Sequence, residues 1–488
     1  MNTAQNMPTL KHVVIIGGGI AGLSTAWYLQ RYVQEQNVEI RYTVLEAEST
    51  WGGKVKTTYL ENGTAQPYVV ECGPDAFLTR KPWAAQLADE LGLSNEKISV
   101  QPTAKRIYIL NRGRLDPIPE GVHLLVPTDI RAFLRSSLFS WREKARILSE
   151  VFIPARKDET DESIEAFVKR RFGCAASQKL AEPLLAGIYN TDISCQSLLA
   201  TFPHYRKLEL QYGSLIRAMR HSMTLMKPSA DKQTESAFFS FQGGTMRLVE
   251  GLASQLEGQL LLKTPVKEPL AYQQGQYLVS TSIGILSADA VIWATPAYVT
   301  AKFLVEVVPT ATELLNKIRY EGIGTITLMY RREDIPHALD AYGVVVPSHE
   351  NRNIDGMTWV TSKWTHRAPA DQVMIRVFFG GPQTRSMLFV DDVELLNIVC
   401  RELNDILSID SKPLTYHIDR WENGYPQYEV GHHLLIQAIK NALPPRIYIV
   451  GSAYDGVGVP DIIHGAQRCA MFCLEQLKEN YYERASTY

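Results

Sequence analysis

The sequence predicts an α/β protein in which one parallel sheet is assembled from distant parts of the chain and a second sheet is mixed or antiparallel. Three observations support this fold class. A strand–helix–strand pattern occupies residues 11–46, further buried strands follow near Ala290 and Arg446, and apolar segments alternate between residues 300 and 433. A fourth region, residues 127–212, has a helical pattern.

The first strand–helix–strand unit contains a glycine-rich turn. The apolar run 13–16 is too short for a helix and is rich in β-branched residues, so it predicts a buried strand. The G-x-G-x-x-G spacing after it allows a tight turn, close approach to a pyrophosphate and close helix packing. Glu46 ends the second strand, where it can accept hydrogen bonds from ribose hydroxyls. A structural turn is the alternative, but the whole pattern favours a dinucleotide without a 2′-phosphate. The turn consists of Gly17, Gly18, Gly19, Ile20, Ala21 and Gly22.

Two further loops follow this unit. Gly52 and Gly53 predict a second close approach of the backbone to the cofactor, with a simple turn as the alternative. A Gly/Pro loop at residues 71–76 precedes the basic pair Arg80 and Lys81. Residues 83–91 then predict a helix, and residues 107–114 predict a hairpin.

The helical region contains several basic residues among apolar ones. A basic amphipathic surface can lie on a membrane, but a solvated helix face is the commoner explanation, and we favour the latter. The basic residues are Arg131, Arg135, Arg142, Lys144 and Arg146.

The second half of the chain returns to the first sheet. The segments 264–266 and 290–296 predict strands of that sheet, and the buried strand at 446–451 leads into a helix from Ile462. We therefore divide the chain into a discontinuous dinucleotide-binding domain (1–92, 240–299 and 440–488), a largely helical domain (93–212) and a substrate-binding domain (213–239 and 300–439).

The composition limits the function classes. With 45% hydrophobic residues and a net charge of −2, the 488-residue chain has no sign of a polyanion partner, so we expect no nucleic-acid binding. The six scattered cysteines predict reduced core residues rather than disulfides or metal ligands, and no metal site is expected. The short polar start and the lack of long apolar runs indicate a cytoplasmic protein, either free or peripheral at the inner face of the cell membrane.

Several motifs together resemble the FAD-dependent amine-oxidase superfamily. They are GGGIAGL, the LEA after the second strand, FQGGTMRL, VIWATP and GSAYDGVGVPDIIHGAQ. Within that superfamily, the chain is similar over essentially its whole length to the oxygen-dependent porphyrinogen oxidases of haem biosynthesis. The motifs for this are ECGPDAFLTRKP, EPLLAGIYNTDIS with TFPHYR, HRAPADQVMIRVFFGG and the stretch from Trp421 to PQY.

The resemblance implies a set of FAD contacts and a tetrapyrrole site. Since residues 452–454 include no cysteine, non-covalent FAD is implied. The tetrapyrrole is expected near Gly187, Ile188 and Tyr189, and its propionates near Arg80 and Lys81. The implied cofactor residues are Gly17 to Gly22, Glu46, Ala47, Gly52, Gly53, Lys54, Gly73, Pro74, Asp75, Ala76, Val266 (through its backbone), Trp421, Val457, Gly458 and Val459.

The same resemblance implies a reaction in which the flavin performs the chemistry and no catalytic side chain is required. Three two-electron oxidations convert a porphyrinogen to a porphyrin, with O2 as the final acceptor and H2O2 as product. The run FLTRKP favours coproporphyrinogen III as substrate. The alternative substrates are protoporphyrinogen IX and an amine. The alternative to an oxidase is a protein that transfers electrons or carries a tetrapyrrole. Transfer of the product to a ferrochelatase stays open.

Overall fold

The computed structural model describes residues 10–102, 106–119, 121–123, 125–225 and 236–485, and it describes the backbone alone at residues 123, 186, 188, 222–225 and 479–485. The strands are β1 Lys11–Ile16, β2 Ile40–Leu45, β3 Thr57–Leu60, β4 Tyr68–Glu71, β5 Phe77–Leu78, β6 Lys97–Ser99, β7 Ile107–Asn111, β8 Arg114–Pro117, β9 Val122–His123, β10 Val126–Pro127, β11 Phe238–Phe241, β12 Gln259–Leu261, β13 Ala271–Gln273, β14 Gln276–Thr281, β15 Gly284–Ala288, β16 Ala290–Trp293, β17 Tyr320–Arg331, β18 Gly343–Val345, β19 Gly356–Trp359, β20 Gln372–Phe379, β21 Thr415–Pro426 and β22 Ile447–Ile449. The α-helices are α1 Ile20–Glu35, α2 Trp83–Glu90, α3 Ile130–Arg135, α4 Trp141–Leu148, α5 Ile164–Phe172, α6 Cys174–Ala176, α7 Glu182–Tyr189, α8 Leu198–Thr201, α9 Pro203–Tyr212, α10 Leu215–Leu225, α11 Met246–Gln255, α12 Ala297–Leu304, α13 Pro309–Leu315, α14 Val360–Lys363, α15 Asp392–Leu407, α16 His432–Ala442 and α17 Val459–Ala485.

The first sheet is parallel and has five strands in the order β12-β2-β1-β16-β22. The prediction that strands near Ala290 and Arg446 return to this sheet is confirmed. The prediction of a strand at 264–266 is wrong, because the strand in that part of the chain is β12. Pro265 has no N–H group for a ladder, and Val266 makes only an isolated bridge to Thr281.

The buried run of β1 serves two cores. Val13 and Ile15 pack in one core with α1 and α17, whereas Val14 and Ile16 pack in another with α12, α13 and α16. Because side chains alternate across a strand, a strand covered on both faces must be apolar throughout. The continuous apolar sequence of β1 therefore reflects its central place between a helical layer on one face and, on the other, a layer of helices together with the sheet β13-β14-β15.

The second sheet has seven strands in the order β21-β17-β20-β19-β18-β7-β8. Its pairs are antiparallel except for β18 with β7, so the predicted mixed sheet is confirmed. The predicted hairpin is also confirmed as β7 and β8, and it extends the edge of this sheet. Residues 107–117 thus pair with strands that we assigned to another domain, and the domain boundaries stay a prediction.

The helices α3 to α10 form a separate apolar core around Phe133, Phe167 and Phe172. Two of the predicted basic surface residues are used inside this region. Lys144 is buried and donates to the carbonyl of Leu134 (2.8 Å), and Arg146 donates to carbonyls at the end of α5. No helix in the described residues is long and apolar enough to cross a bilayer. Residues 226–235 of the predicted substrate domain lie outside the described part.

The cysteines are all free thiols. Cys72 and Cys473 are buried, as predicted for core residues. Cys174 and Cys195 are exposed, so the prediction of core positions is wrong for these two. Cys174 begins the short helix α6, and Cys195 lies in the turn after α7, where neither side chain meets a packed layer.

Candidate active site

A crevice is defined by the carboxyl ends of the parallel strands. The strand β1 ends before Gly17, β2 before Glu46, β16 before Ala294 and β22 before Val450, all at one edge of the sheet. In open α/β folds this edge is where ligands bind. The structure therefore brings the predicted turn, Glu46 and the closing motif together.

The predicted glycine turn requires glycine for steric reasons. Gly17 has a φ of +112°, and a Cβ there would lie 2.8 Å from the carbonyl oxygen of Ala294. A Cβ on Gly22 would lie 1.9 Å from the carbonyl oxygen of Gly17. Gly19 begins α1 without a side-chain cap, so the first-turn N–H groups have no side-chain partner there and can bind an anion.

Glu46 organises the backbone around this turn. Its carboxylate accepts hydrogen bonds from the N–H of Gly18 (2.7 Å) and of Glu48 (2.9 Å). Each oxygen retains a lone pair, so the carboxylate can also accept a ribose hydroxyl. Ala47 is exposed beside it. The segment before Val266 runs alongside, because the N–H of Thr264 donates to the carbonyl of Glu46 (2.8 Å).

The second glycine pair lies against the first turn. The N–H of Gly52 donates to the carbonyl of Gly18 (2.9 Å), and Gly19 and Gly52 form an isolated parallel bridge. Gly53 has a φ of +57°. The two glycine-containing turns therefore lie together, and the predicted approach of Gly52 and Gly53 to a cofactor stays a prediction.

The loop 73–76 is fixed by Arg376 and Thr245, which the sequence analysis did not name, and by the predicted Trp421. The carbonyl of Gly73 accepts a hydrogen bond from Arg376 (2.9 Å), and that of Pro74 accepts one from Thr245 (3.0 Å). Trp421 donates from its indole to the carbonyl of Cys72 (2.9 Å), so it lies at the start of this loop. Ala76 is partly buried against an apolar cluster below the loop.

Asp75 forms an ion pair across this loop. Lys363 lies 2.8 Å from its carboxylate, and the indole N–H of Trp364 lies 3.5 Å away. Burial would raise the pKa of Asp75, but the charges of Lys363 and Arg376 and the two hydrogen bonds outweigh burial and lower it to about 2. Asp75 is therefore ionised at neutral pH and acts as an anchor of the loop rather than as a proton donor.

Lys54 is a half-buried cation without a carboxylate partner among the described residues. Its ammonium group donates to the carbonyls of Gly424 (2.5 Å) and Asn423 (3.2 Å) and lies 5.8 Å from the ring centroid of Tyr320. Burial lowers the pKa of Lys54 to about 8. The residue thus places a positive charge between the Gly52–Gly53 turn and the end of β21.

The closing motif is held by two aromatic side chains that we did not predict. Tyr428 donates its hydroxyl to the carbonyl of Ser452 (2.5 Å), and the ring of His432 bonds to the carbonyl of Ala453 (3.0 Å). The two rings stack with centroids 4.1 Å apart. Burial lowers the pKa of His432 to about 4, so its ring is neutral at pH 7. After this support the chain passes through Val457 and Gly458, and Val459 begins α17.

The predicted substrate cations lie at the N-terminal end of α17. Lys81 forms an ion pair with Asp461 (2.5 Å), a residue that the sequence analysis did not assign, and Arg80 is exposed. Burial raises the pKa of Tyr189 to about 12, with smaller opposing effects of Asp461 and Arg80. These effects place Tyr189 near both charges. Gly187 is exposed, and the side chain of Ile188 lies outside the described residues.

Comparison with known proteins agrees with this arrangement. Residues 20–473 match the family described as flavin containing amine oxidoreductase. The chain is 33% identical to the coproporphyrinogen III oxidase of Bacillus subtilis and 30% identical to that of Staphylococcus aureus, covering 93% of this chain and 96% and 97% of those proteins. A crystal structure from Exiguobacterium sp. 255-15, described as a candidate protoporphyrinogen oxidase, superposes with a TM-score of 0.83 at 31% identity and covers 96% of this chain and 99% of its own.

FAD is the cofactor of this fold, and the residues at the sheet edge fit it. The turn excludes side chains at Gly17 and Gly22, and Glu46 has spare acceptor capacity at the end of β2. The N-terminal turn of α1 has N–H groups without a side-chain cap, and the N-terminal ends of α1 and α17 both carry the partial positive charge that suits anionic parts of the cofactor. With this fit and the match over most of its length, the chain belongs to the family of flavin-containing amine oxidoreductases.

Proposed function

We propose that the protein oxidises coproporphyrinogen III to coproporphyrin III in haem biosynthesis, with FAD held non-covalently, O2 as the final electron acceptor and H2O2 as product. The observation that carries this proposal is the 93% coverage of the chain by relatives named coproporphyrinogen III oxidase. Bound FAD supplies a two-electron acceptor, and the protein positions the macrocycle and excludes water.

Lys81 and Arg80 are the proposed binding groups for propionates. An ammonium group has three N–H donors, and Asp461 occupies one of those of Lys81. Arg80 precedes Lys81 in the chain and is exposed, so it and the remaining donors of Lys81 can bind carboxylates of the substrate.

The wall beside these cations is aromatic and uncharged. Burial raises the pKa of both Tyr189 and Tyr205 to about 12, so both phenols stay neutral at pH 7. Burial lowers the pKa of His204, and Arg80 adds to this effect, so this ring is also predominantly neutral. Gly187 has no side chain, and its nearest neighbour for a Cβ would be Val345 at 3.7 Å. This surface suits the largely apolar body of a tetrapyrrole.

The remaining proposed residues would hold FAD from several sides. The turn 17–22 and Glu46 with Ala47 would bind the adenosine and pyrophosphate parts, and Val266 would contribute its backbone next to them. Gly52, Gly53 and Lys54, the loop 73–76, Trp421 and residues 457–459 would surround the rest of the cofactor. We propose the three-domain division on the same basis, with residues 107–117 moved to the substrate-binding domain because of their pairing with β18.

The helical region offers a surface for a peripheral membrane contact. Trp141 is 71% exposed and Phe152 is 81% exposed, and Arg142 lies beside the tryptophan in the chain. Exposed aromatic rings next to basic residues suit the interface of an anionic membrane. The product is a metal-free porphyrin, so we also propose that it is delivered to a ferrochelatase, which inserts iron.

The function is tested by comparing two porphyrinogens with the purified yellow protein. We expect porphyrin fluorescence and O2 consumption with coproporphyrinogen III, a lower kcat/KM with protoporphyrinogen IX, and none with amines. Lys81→Ala should raise KM for coproporphyrinogen III, which has four propionates, more than for protoporphyrinogen IX, which has two. The matched control is Lys267→Ala, an exposed lysine on another face of the protein.

Three outcomes would count against the proposal. If no porphyrin forms from either substrate, the proposed oxidase activity is refuted. A higher kcat/KM for protoporphyrinogen IX would favour the alternative substrate, as does the description of the Exiguobacterium structure. Equal effects of Lys81→Ala on both substrates would refute the propionate contact while leaving the activity intact.

A further inference from the structure

Three side chains of different chemistry meet beside the loop 73–76. The thiol of Cys72, the ring of His417 and the carboxylate of Asp419 each offer one atom, and these atoms all lie within 4.8 Å of one another. The Sγ of Cys72 is 3.8 Å from Nε2 of His417, and that nitrogen is 3.3 Å from Oδ2 of Asp419. The same nitrogen therefore faces both neighbours. The three groups converge on one point, whereas a proton relay would use the two ring nitrogens of the histidine separately.

The fold places these groups together from two strands. His417 and Asp419 are two residues apart on β21, so their side chains leave the same face of the sheet. Cys72 directly follows β4 and is held against β21 by the hydrogen bond from the indole of Trp421 to its carbonyl (2.9 Å). The cysteine is 1% exposed, whereas the side chain of His417 is 25% exposed, which leaves a path from solvent.

The acceptor capacity of this cluster is not satisfied by the protein. The Oδ2 atom of Asp419 is buried and makes no well-formed hydrogen bond with any described residue. Its nearest side-chain nitrogen in the described residues is Nε2 of His417, at 3.3 Å.

From this convergence we infer that Cys72, His417 and Asp419 bind a divalent zinc-class cation. In a tetrahedral site with Zn–S of about 2.3 Å and Zn–N and Zn–O of about 2.0 Å, the N–S edge is about 3.6 Å and the N–O edge is about 3.3 Å. The observed N–S and N–O separations of 3.8 and 3.3 Å are close to these edges, and the sulfur and the carboxylate oxygen lie within 4.8 Å of each other, so side-chain adjustment closes the third edge. A thiolate, an imidazole and a carboxylate suit Zn²⁺ and disfavour Mg²⁺ or Ca²⁺, and water completes the fourth position.

Binding at this site would connect the start of the loop 73–76 to β21. Zn²⁺ binds a thiolate and a neutral imidazole, so the protons that these groups release on binding pass to the buffer. The inference does not depend on the proposed oxidase activity, because metal binding is measured directly on the protein.

The test is a titration of the metal-depleted holoprotein with ZnCl2, followed by isothermal titration calorimetry in two buffers of different protonation enthalpy. We expect one Zn²⁺ per chain, proton release, and an affinity at least about tenfold lower in Cys72→Ser and in Asp419→Asn. The matched control is Cys174→Ser, which removes an exposed thiol and should bind Zn²⁺ like the unaltered protein.

X-ray absorption at the zinc edge gives an independent readout that does not require a variant. We expect one sulfur ligand at about 2.3 Å together with nitrogen and oxygen ligands at about 2.0 Å. Absence of binding, binding that Cys72→Ser leaves unchanged, or binding that is lost in Cys174→Ser would overturn the inference. A zinc shell without sulfur would overturn it as well, even if the Cys72→Ser variant does not fold.

Discussion

The ion pair between Asp75 and Lys363 should contribute measurably to the stability of the loop at the crevice. The two side chains are 23% and 11% exposed and 2.8 Å apart, so solvent screens them little. Lys363→Met keeps the length of the side chain and removes its charge. Asp75 then stays in a mostly buried position with Arg376 as its only nearby cation.

The size of the effect follows from the pKa of Asp75. Its lowering from 3.8 to about 2 corresponds, at about 1.4 kcal/mol per pH unit, to about 2 kcal/mol of extra stability in the ionised form. Because the pKa is lowered on folding, this stability is fully present above pH 3.8 and is lost as the pH falls towards 2. We expect Lys363→Met to reduce the free energy of unfolding at pH 7 by about 2 kcal/mol and to move the acid-induced loss to higher pH.

The assay is urea unfolding of the holoprotein, followed by circular dichroism and by release of flavin fluorescence. Asp75→Asn in the Lys363→Met background should recover part of the loss, since it removes the unpaired buried charge. Lys169→Met is the control, because Lys169 pairs with Glu165 on an exposed helix face and should leave the unfolding curve unchanged. If Lys363→Met and Lys169→Met unfold alike, or if Asp75→Asn adds to the loss, the electrostatic argument is wrong.

Three other changes test separate parts of the structure. Gly22→Ala places a Cβ 1.9 Å from a carbonyl oxygen and should yield protein without flavin absorbance. Gly275→Ala meets no atom within 4 Å and adds only the backbone strain of its φ of +82°, about 1 kcal/mol, so this control should stay yellow. The pKa of His432 is lowered from 6.5 to about 4 in the folded protein. Between these pH values the unfolded chain binds a proton on His432 that the folded protein does not. The free energy of unfolding should therefore fall by about 3 kcal/mol as the pH drops from 6.5 to 4. That slope should weaken in His432→Asn but not in His433→Asn, measured by urea unfolding at each pH. Arg171→Met leaves a fully buried carboxylate unpaired and should cost about 3–5 kcal/mol in thermal or chemical unfolding, and a loss below about 1 kcal/mol would contradict this role.

The parallel sheet was predictable because its signals are local. A strand buried on both faces is apolar at every position, and the glycine turn after β1 has a steric requirement that the sequence expresses directly. The segment 264–266 shows the limit of this reasoning. The apolar Val266 in this segment suggests a strand from sequence alone, but the strand that pairs with the sheet lies a few residues earlier, at β12. Backbone pairing decides between the two, and pairing depends on a partner strand far along the chain.

The polar contacts of the site were not predictable for the same reason. Asp75 and Lys363 are separated by 288 positions, and Lys81 and Asp461 by 380. Each of these charges alone is consistent with a solvated surface residue, and only the fold brings the partners together. The role of Tyr428 was not predictable either, because it donates to a backbone carbonyl, and no side chain at that position reveals the contact in the sequence.

Asp461 connects the two halves of the site through its position on α17. It lies in the first turn of that helix, where the helix dipole stabilises a negative charge even without a counter-ion. A substrate carboxylate that draws Lys81 away would therefore leave Asp461 in a favourable field rather than as an unpaired buried charge. The ion pair is also only half shielded, with Lys81 35% exposed, so its opening costs less than that of the buried Glu150–Arg171 pair. The N-terminal end of α17, which we propose to face the flavin, would thus also lower the energetic cost of transferring Lys81 to the substrate.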